Sequence, residues 1–169
     1  MILFWQIVNL GVVVLCMFAL YYVLNGAPYL PSSTCAINEM VRLANIQNGQ
    51  RMIDIGSGDG RIMIAFAKAG AITEGYEINP LLVWWSRRKI AAAGVADRCT
   101  VHTKNLWKAD FSHADIVTVF GIRGIMARLE AKCRKELKPG SRVFSHIFTF
   151  PTWKATHSDD QKGVYLYTV

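Results

Sequence analysis

The chain has 169 residues, with 19 Lys plus Arg against 12 Asp plus Glu and a formal charge of +7. That length suits one ordinary domain rather than two, and 52% apolar with only 18% charged residues excludes a disordered chain. The charge is unevenly placed, since every charged side chain lies at or after Glu39.

Ile2 to Leu24 holds no Asp, Glu, Lys, Arg or His, and only Gln6 and Asn9 break its apolar run. As a helix it would be roughly 34 Å long, enough for a hydrocarbon core of about 30 Å. Trp5 near one end, and Tyr21 and Tyr22 near the other, stand where interfacial aromatics stand. Asn25-Gly26-Ala27-Pro28 stops it. A cleaved signal peptide fits less well, because no basic residue precedes the run and Pro28 disturbs any cleavage site. The sequence therefore predicts a transmembrane anchor over 1–24, a linker over 25–38 and a domain over 39–169. Arg42 and Arg51 follow the anchor, so the positive-inside tendency puts the domain on the cytoplasmic side, or its matrix equivalent. Residues 2–24 would lie in the lipid bilayer. Cys16, Cys35, Cys99 and Cys133 are scattered, which predicts neither a disulfide framework nor a metal site and suits a reduced compartment.

Ile37, Met40, Val41 and Ala44 recur at helical spacing, with Ser33 or Thr34 as cap. Arg51–Ile55 reads as a short buried strand, and Arg61–Ala69 has helix-forming composition. A strand near Thr73–Glu77, a helix over Pro80–Ala93 and a strand over Cys99–Thr103 follow. Then come a strand over Ile116–Phe120, a helix over Ile125–Leu137 and strands over Arg142–Phe148 and Val164–Val169. Six strands alternating with helices predict an α/β, doubly wound parallel sheet of the Rossmann-like kind, with a seventh strand absent or merged into the tail.

The chemistry concentrates in Asp54-Ile-Gly56-Ser57-Gly58-Asp59-Gly60-Arg61. A strand runs into glycines and then a helix, so backbone N–H groups face an open crevice at the strand's carboxyl end. Glu77 ends the next strand, where a carboxylate can accept two ribose hydroxyls. In the dinucleotide fingerprint the third glycine would fall at Arg61; here it comes at Gly60, and Asp54 and Asp59 bracket the loop. Two carboxylates would repel a pyrophosphate but not the ammonium and sulfonium of S-adenosylmethionine.

Asp54 to Arg61 with Glu77 resembles the first motif, and its follower, of class I (seven-β-strand) methyltransferases. The match narrows with Pro28-Tyr-Leu-Pro31-Ser, Val119-Phe-Gly121, Leu129-Glu130-x-Lys132, Glu136-Leu-Lys-Pro-Gly140 and Phe148-x-Phe150-Pro-x-Trp153. Together they resemble a prokaryotic-type member of the membrane-anchored protein-lysine methyltransferases, whose mitochondrial members modify the ATP synthase c subunit or the adenine nucleotide translocator. The resemblance implies a class I methyltransferase sheet, S-adenosyl-L-methionine as cofactor, and a lysine-bearing, membrane-associated protein as partner. It implies that Gly56, Ser57, Gly58 and Gly60 shape the loop around the methionyl group, with Asp54 and Asp59 beside it. Glu77 would take the ribose, Ile78 would pack on adenine, and Asn105 with Leu106 would meet the adenine edge. Phe120 and Gly121 would lie near the methyl group, and Tyr29, Phe150 and Trp153 would line a lysine channel. No catalytic base is singled out, though His146 and Asp115 could act. Trp84-Trp85-Ser-Arg87-Arg88-Lys89 reads either as a helix with one Trp buried and a solvated charged face, or as a contact for anionic lipid or nucleic acid, lipid being the better fit beside an anchor.

Two other readings stand beside this one. The basic charge suits RNA or a small molecule as methyl acceptor, although Phe120-Gly-Ile-Arg123 stands where base-amine methylation would want an Asn-Pro-Pro-Tyr tetrad, so a nucleic-acid partner is not expected. A non-catalytic, membrane-anchored binding module would keep the same loop.

Overall fold

The computed structural model describes residues 1–25, 31–121 and 123–169. In the first helix, α1 (Ile2–Asn25), side chains are described at positions 2–14, 16 and 17. Then follow α2 (Thr34–Ala44), β1 (Arg51–Ile55), α3 (Arg61–Lys68), β2 (Ile72–Glu77), α4 (Pro80–Ala92) and β3 (Cys99–Thr103). A 3-10 turn (Leu106–Lys108) leads to β4 (Ile116–Val119), α5 (Arg123–Glu136), β5 (Arg142–His146), β6 (His157–Asp159) and β7 (Val164–Thr168).

The strands form one seven-stranded sheet in the order β3-β2-β1-β4-β5-β7-β6. β1 to β5 are parallel, β7 runs antiparallel to β5, and β6 pairs antiparallel with β7. The count of six and the fully parallel sheet are thereby corrected. The extra strand is His-Ser-Asp, three residues with little β propensity, formed because the edge of β7 offers backbone partners.

Side-chain alternation along each strand divides the core. Ile53, Ile55, Val117, Val119 and Val143 point to the α5 side, where Leu129 and Cys133 are fully buried. Met52, Ile116 and Phe144 point the other way, onto Met40 of α2 and Phe66 of α3. β4 is buried along its whole length, which explains its unbroken Ile-Val-Thr-Val character. Strand order reverses between β1 and β4, so the carboxyl ends of these strands flank a crevice of the kind where open α/β sheets bind ligands.

Two helices present apolar surface outward. The described side chains of α1 are all exposed, among them Leu3, Phe4, Trp5 and Leu10. Among the described residues no helix is long and apolar enough to cross a membrane, and the side chains at positions 15 and 18–25 of α1 are outside that set. On α4 both Trp84 (57%) and Trp85 (45%) are exposed, which corrects the reading with one Trp buried. Arg88 stacks over Trp84 at 4.2 Å and Lys89 lies 5.4 Å from the Trp85 ring.

Candidate active site

The glycine loop leaves β1 and enters α3 with positive φ at Gly56 (72°) and at Gly60 (78°), conformations that residues with a Cβ rarely adopt. The loop is stitched to the end of β2. Gly56 N–H donates to Tyr76 O at 2.9 Å, and Gly58 N–H donates to Glu77 Oε2 at 3.0 Å. Glu77 Oε1 accepts Asn79 N–H at 2.8 Å. The Glu77 carboxylate is thus 8% exposed and held by a backbone amide on each oxygen, with lone pairs left for a ligand. Lys104 N–H donates to Glu77 O at 3.0 Å, which sets the end of β3, with Asn105 and Leu106, beside Glu77 and Ile78.

Asp54 sits beneath the loop, 1% exposed. Thr118 Oγ1 donates to its Oδ1 at 2.6 Å, but among the described residues nothing hydrogen-bonds its Oδ2. Burial, opposed by the Thr118 bond and reinforced by the charges of Glu77 and Asp59, pushes its pKa up to about 7. A buried carboxylate oxygen without a donor is costly. The cationic ammonium of a bound amino acid moiety would both satisfy that oxygen and favour the ionised form. The residues present therefore fit S-adenosylmethionine.

Asp59 is arranged differently from the expectation of a bare carboxylate beside the loop. It is 2% exposed and forms ion pairs with Arg61 at 2.9 Å and Lys89 at 2.5 Å. Its pKa falls to about 2, because the bonds to Arg61 and Lys89 outweigh the cost of burial. Its charge is offset, so Asp59 does not supply the repulsion of a pyrophosphate that the sequence suggests; it ties the loop to α4. The Ser57 hydroxyl also turns inward, for a Cβ added at Gly75 would lie 2.7 Å from its Oγ.

The other expected residues divide. Phe120 follows β4 and stacks edge-on against His146 at 4.6 Å, with Gly121 buried next to it. Asn105 is exposed, and its Oδ1 accepts Trp107 N–H at 3.0 Å, capping the 3-10 turn. Phe150 (4%) and Trp153 (8%) do not line a channel: they stack at 5.5 Å within the core, and Phe150 N–H donates to Tyr167 Oη at 3.2 Å. Tyr29 lies outside the described residues. Of the bases considered, Asp115 binds Arg51 N–H at 2.8 Å at the opposite, amino-terminal end of the strands.

Sequence reading missed three groups. Thr118 was visible as the one polar residue in an otherwise apolar strand. Gly75 left no local signal, because its need comes from Ser57 and Met63 packing across it. Ser32, whose Oγ lies 3.0 Å from His146 Nδ1 and whose carbonyl accepts Arg61 Nη1 at 3.2 Å, joins segments far apart in the chain.

Known proteins share this arrangement. The ANTKMT methyltransferase domain matches residues 54–157. The chain is 41% identical to the Homo sapiens lysine N-methyltransferase of the ATP synthase c subunit, over 77% of this chain and 55% of that protein, so it spans about half the length of that relative. It is 33% identical to a protein-lysine N-methyltransferase of Saccharolobus islandicus, covering 84% of this chain and 93% of that one. A crystal structure of an RNA methyltransferase from Salinibacter ruber with S-adenosyl-L-homocysteine is 34% identical with a TM-score of 0.79, over 83% of this chain and 94% of that chain. With the glycine loop, Glu77 and the sheet order in place, the chain belongs to the ANTKMT methyltransferase family, whose domain works with S-adenosylmethionine.

Proposed function

We infer that the protein is an S-adenosylmethionine-dependent protein-lysine N-methyltransferase, anchored by α1 and acting on a membrane-associated protein. The donor half of this reading is carried by Asp54 Oδ2, a buried oxygen without a partner among the described residues, at the foot of the glycine loop. In this reading that oxygen takes the donor's ammonium, Gly56, Ser57, Gly58 and Gly60 form the cradle, and Asp59 fixes the cradle through Arg61 and Lys89. Glu77 accepts the ribose hydroxyls, Ile78 and Leu106 flank the adenine, and Asn105 meets its edge. When bound, the donor supplies a methyl group on a sulfonium, already a good leaving group. Phe120 and Gly121 hold the approach line, and the protein orients a neutral amine for in-line attack and excludes water. A lysine ammonium has no lone pair, so the acceptor must lose a proton as it becomes buried.

Lysine as acceptor is supported by the names of the human and Saccharolobus relatives. The anchor is supported by the 24 residues of α1, a helix about 36 Å long without a charged side chain. The exposed Leu81, Trp84 and Trp85 of α4, with Arg88 beside them, suit a membrane interface. Arg42 and Arg51 favour the cytoplasmic side, or its matrix equivalent, for the domain. The Salinibacter relative's description and the charge of +7 favour RNA as the second reading.

Membranes and RNA from cells lacking the protein, incubated with it and a labelled methyl donor, separate these readings. The inference predicts label on lysine in membrane protein, and less of it when residues 1–24 are removed although the donor still binds. Label on RNA alone would replace it with the second reading, and equal labelling of membranes by both forms would remove the anchor's role.

A further inference from the structure

The loss of Phe150 and Trp153 to the core leaves the acceptor's route to be found elsewhere. Beside Phe120 the sheet's carboxyl edge opens into a cleft of about 620 Å³. Its walls include Phe120, His146, Ile147, Asp160 and Tyr165, drawn from the ends of β4 and β5 and from the β6–β7 turn and the start of β7.

Ile147 holds an unusual backbone there. Its φ is +69°, an outlier for a β-branched residue. Phe148 N–H donates to His146 O at 2.9 Å across it, closing a three-residue turn of the strained kind. Ile147 N–H is pinned to Gly163 O at 2.7 Å, and the side chain is 51% exposed at the cleft. Strain of this sort persists where the surrounding structure over-determines it, most often at functional sites.

The charges of the cleft do not cancel. Lys162, the lysine in its wall, is paired with Glu39 at 3.2 Å and Asp159 at 2.9 Å. His146 is buried against Ser32, and burial lowers its pKa, which keeps the ring neutral at pH 7. Asp160 is exposed and shares the cleft wall with Phe120 and Tyr165, and among the described residues no Lys or Arg pairs with it, which leaves one uncompensated negative charge there. An alkyl chain ending in an ammonium matches an apolar wall, aromatic faces and a carboxylate at the mouth.

We propose that this cleft admits the acceptor lysine, with Asp160 and Tyr165 selecting its ammonium and Ile147 forming the wall that steers its stem towards Phe120. The proposal rests on the protein-lysine reading above and names the surface that serves it.

Asp160→Asn, Tyr165→Phe and Ile147→Asn in the full chain test it, with labelled methyl transfer to membranes from cells lacking the enzyme and calorimetry with S-adenosylhomocysteine. Asn tolerates positive φ, so Ile147→Asn removes the wall while sparing the turn. Each variant should raise the half-saturating amount of membrane by about fivefold or more, keep the affinity for S-adenosylhomocysteine, and in the case of Ile147→Asn melt no lower than the parent. Unchanged half-saturation in Asp160→Asn and Tyr165→Phe would overturn the proposal. So would an Ile147→Asn activity loss that only follows a loss of stability. Wild-type protein that labels no lysine would overturn the protein-lysine reading first and the proposal with it, a result told apart because it appears without any substitution.

Discussion

Asp54 shows how one atom links stability to function. Its ordinary carboxyl would ionise near pH 4 in the unfolded chain, whereas the folded protein holds the proton up to about pH 7. Between those values the native state binds more protons than the unfolded state, so this group's contribution to stability falls as pH rises through the window and is level outside it. Asp54→Asn has no such fall. Its ligand-free melting temperature should therefore gain on the parent steadily from about pH 4 to about pH 7, while its affinity for S-adenosylhomocysteine drops. A constant gap between the two proteins over that range would show that Asp54 is ionised throughout and that the crevice does not store this cost. Asp59 bears the opposite arrangement, since two cations hold its charge from below pH 4 upward. Two carboxylates five residues apart in the chain look alike in sequence, and their partners Thr118 and Lys89, distant in the chain, make them differ.

The elements that were legible in sequence are those whose composition decides their environment. β1 and β4 read as strands because β-branched and apolar residues run together there, and α2 because its apolar residues repeat at helical spacing under the Ser33 cap. β6 was not legible, since His157-Ser158-Asp159 gains its structure from β7 alone. The aromatic run around Trp153 was legible as a motif but not as packing. Its rings close over Tyr167 of β7, a strand whose place between β5 and β6 depends on chain order across the whole sheet. Trp153→Ala should consequently lower stability by about 3 to 5 kcal/mol, read by denaturant unfolding, with S-adenosylhomocysteine affinity preserved in the fraction that folds. A stable variant with a raised acceptor requirement would return Trp153 to the lysine channel.

At the scale of the molecule, the carboxyl ends of β1, β2 and β4 flank the donor crevice, and the ends of β4 and β5 with the β6–β7 turn and the start of β7 line the cleft beside it. Ser32 and Arg61 join the two, because Ser32 touches His146 through its hydroxyl and Arg61 through its carbonyl, and Arg61 holds Asp59 of the glycine loop. The crevice, with its glycine loop, the Glu77 carboxylate and the unpartnered Asp54 Oδ2, reports the donor. Everything depends on the first of these sites being made for a cationic donor. Titration calorimetry with S-adenosylhomocysteine at pH 6 and pH 8, in buffers of different ionisation heat, tests that directly. The account predicts one ligand per chain, tighter binding at pH 8, and release at pH 6 of a proton that Asp54→Asn does not release. Binding of NAD with no heat from S-adenosylhomocysteine at either pH would contradict it.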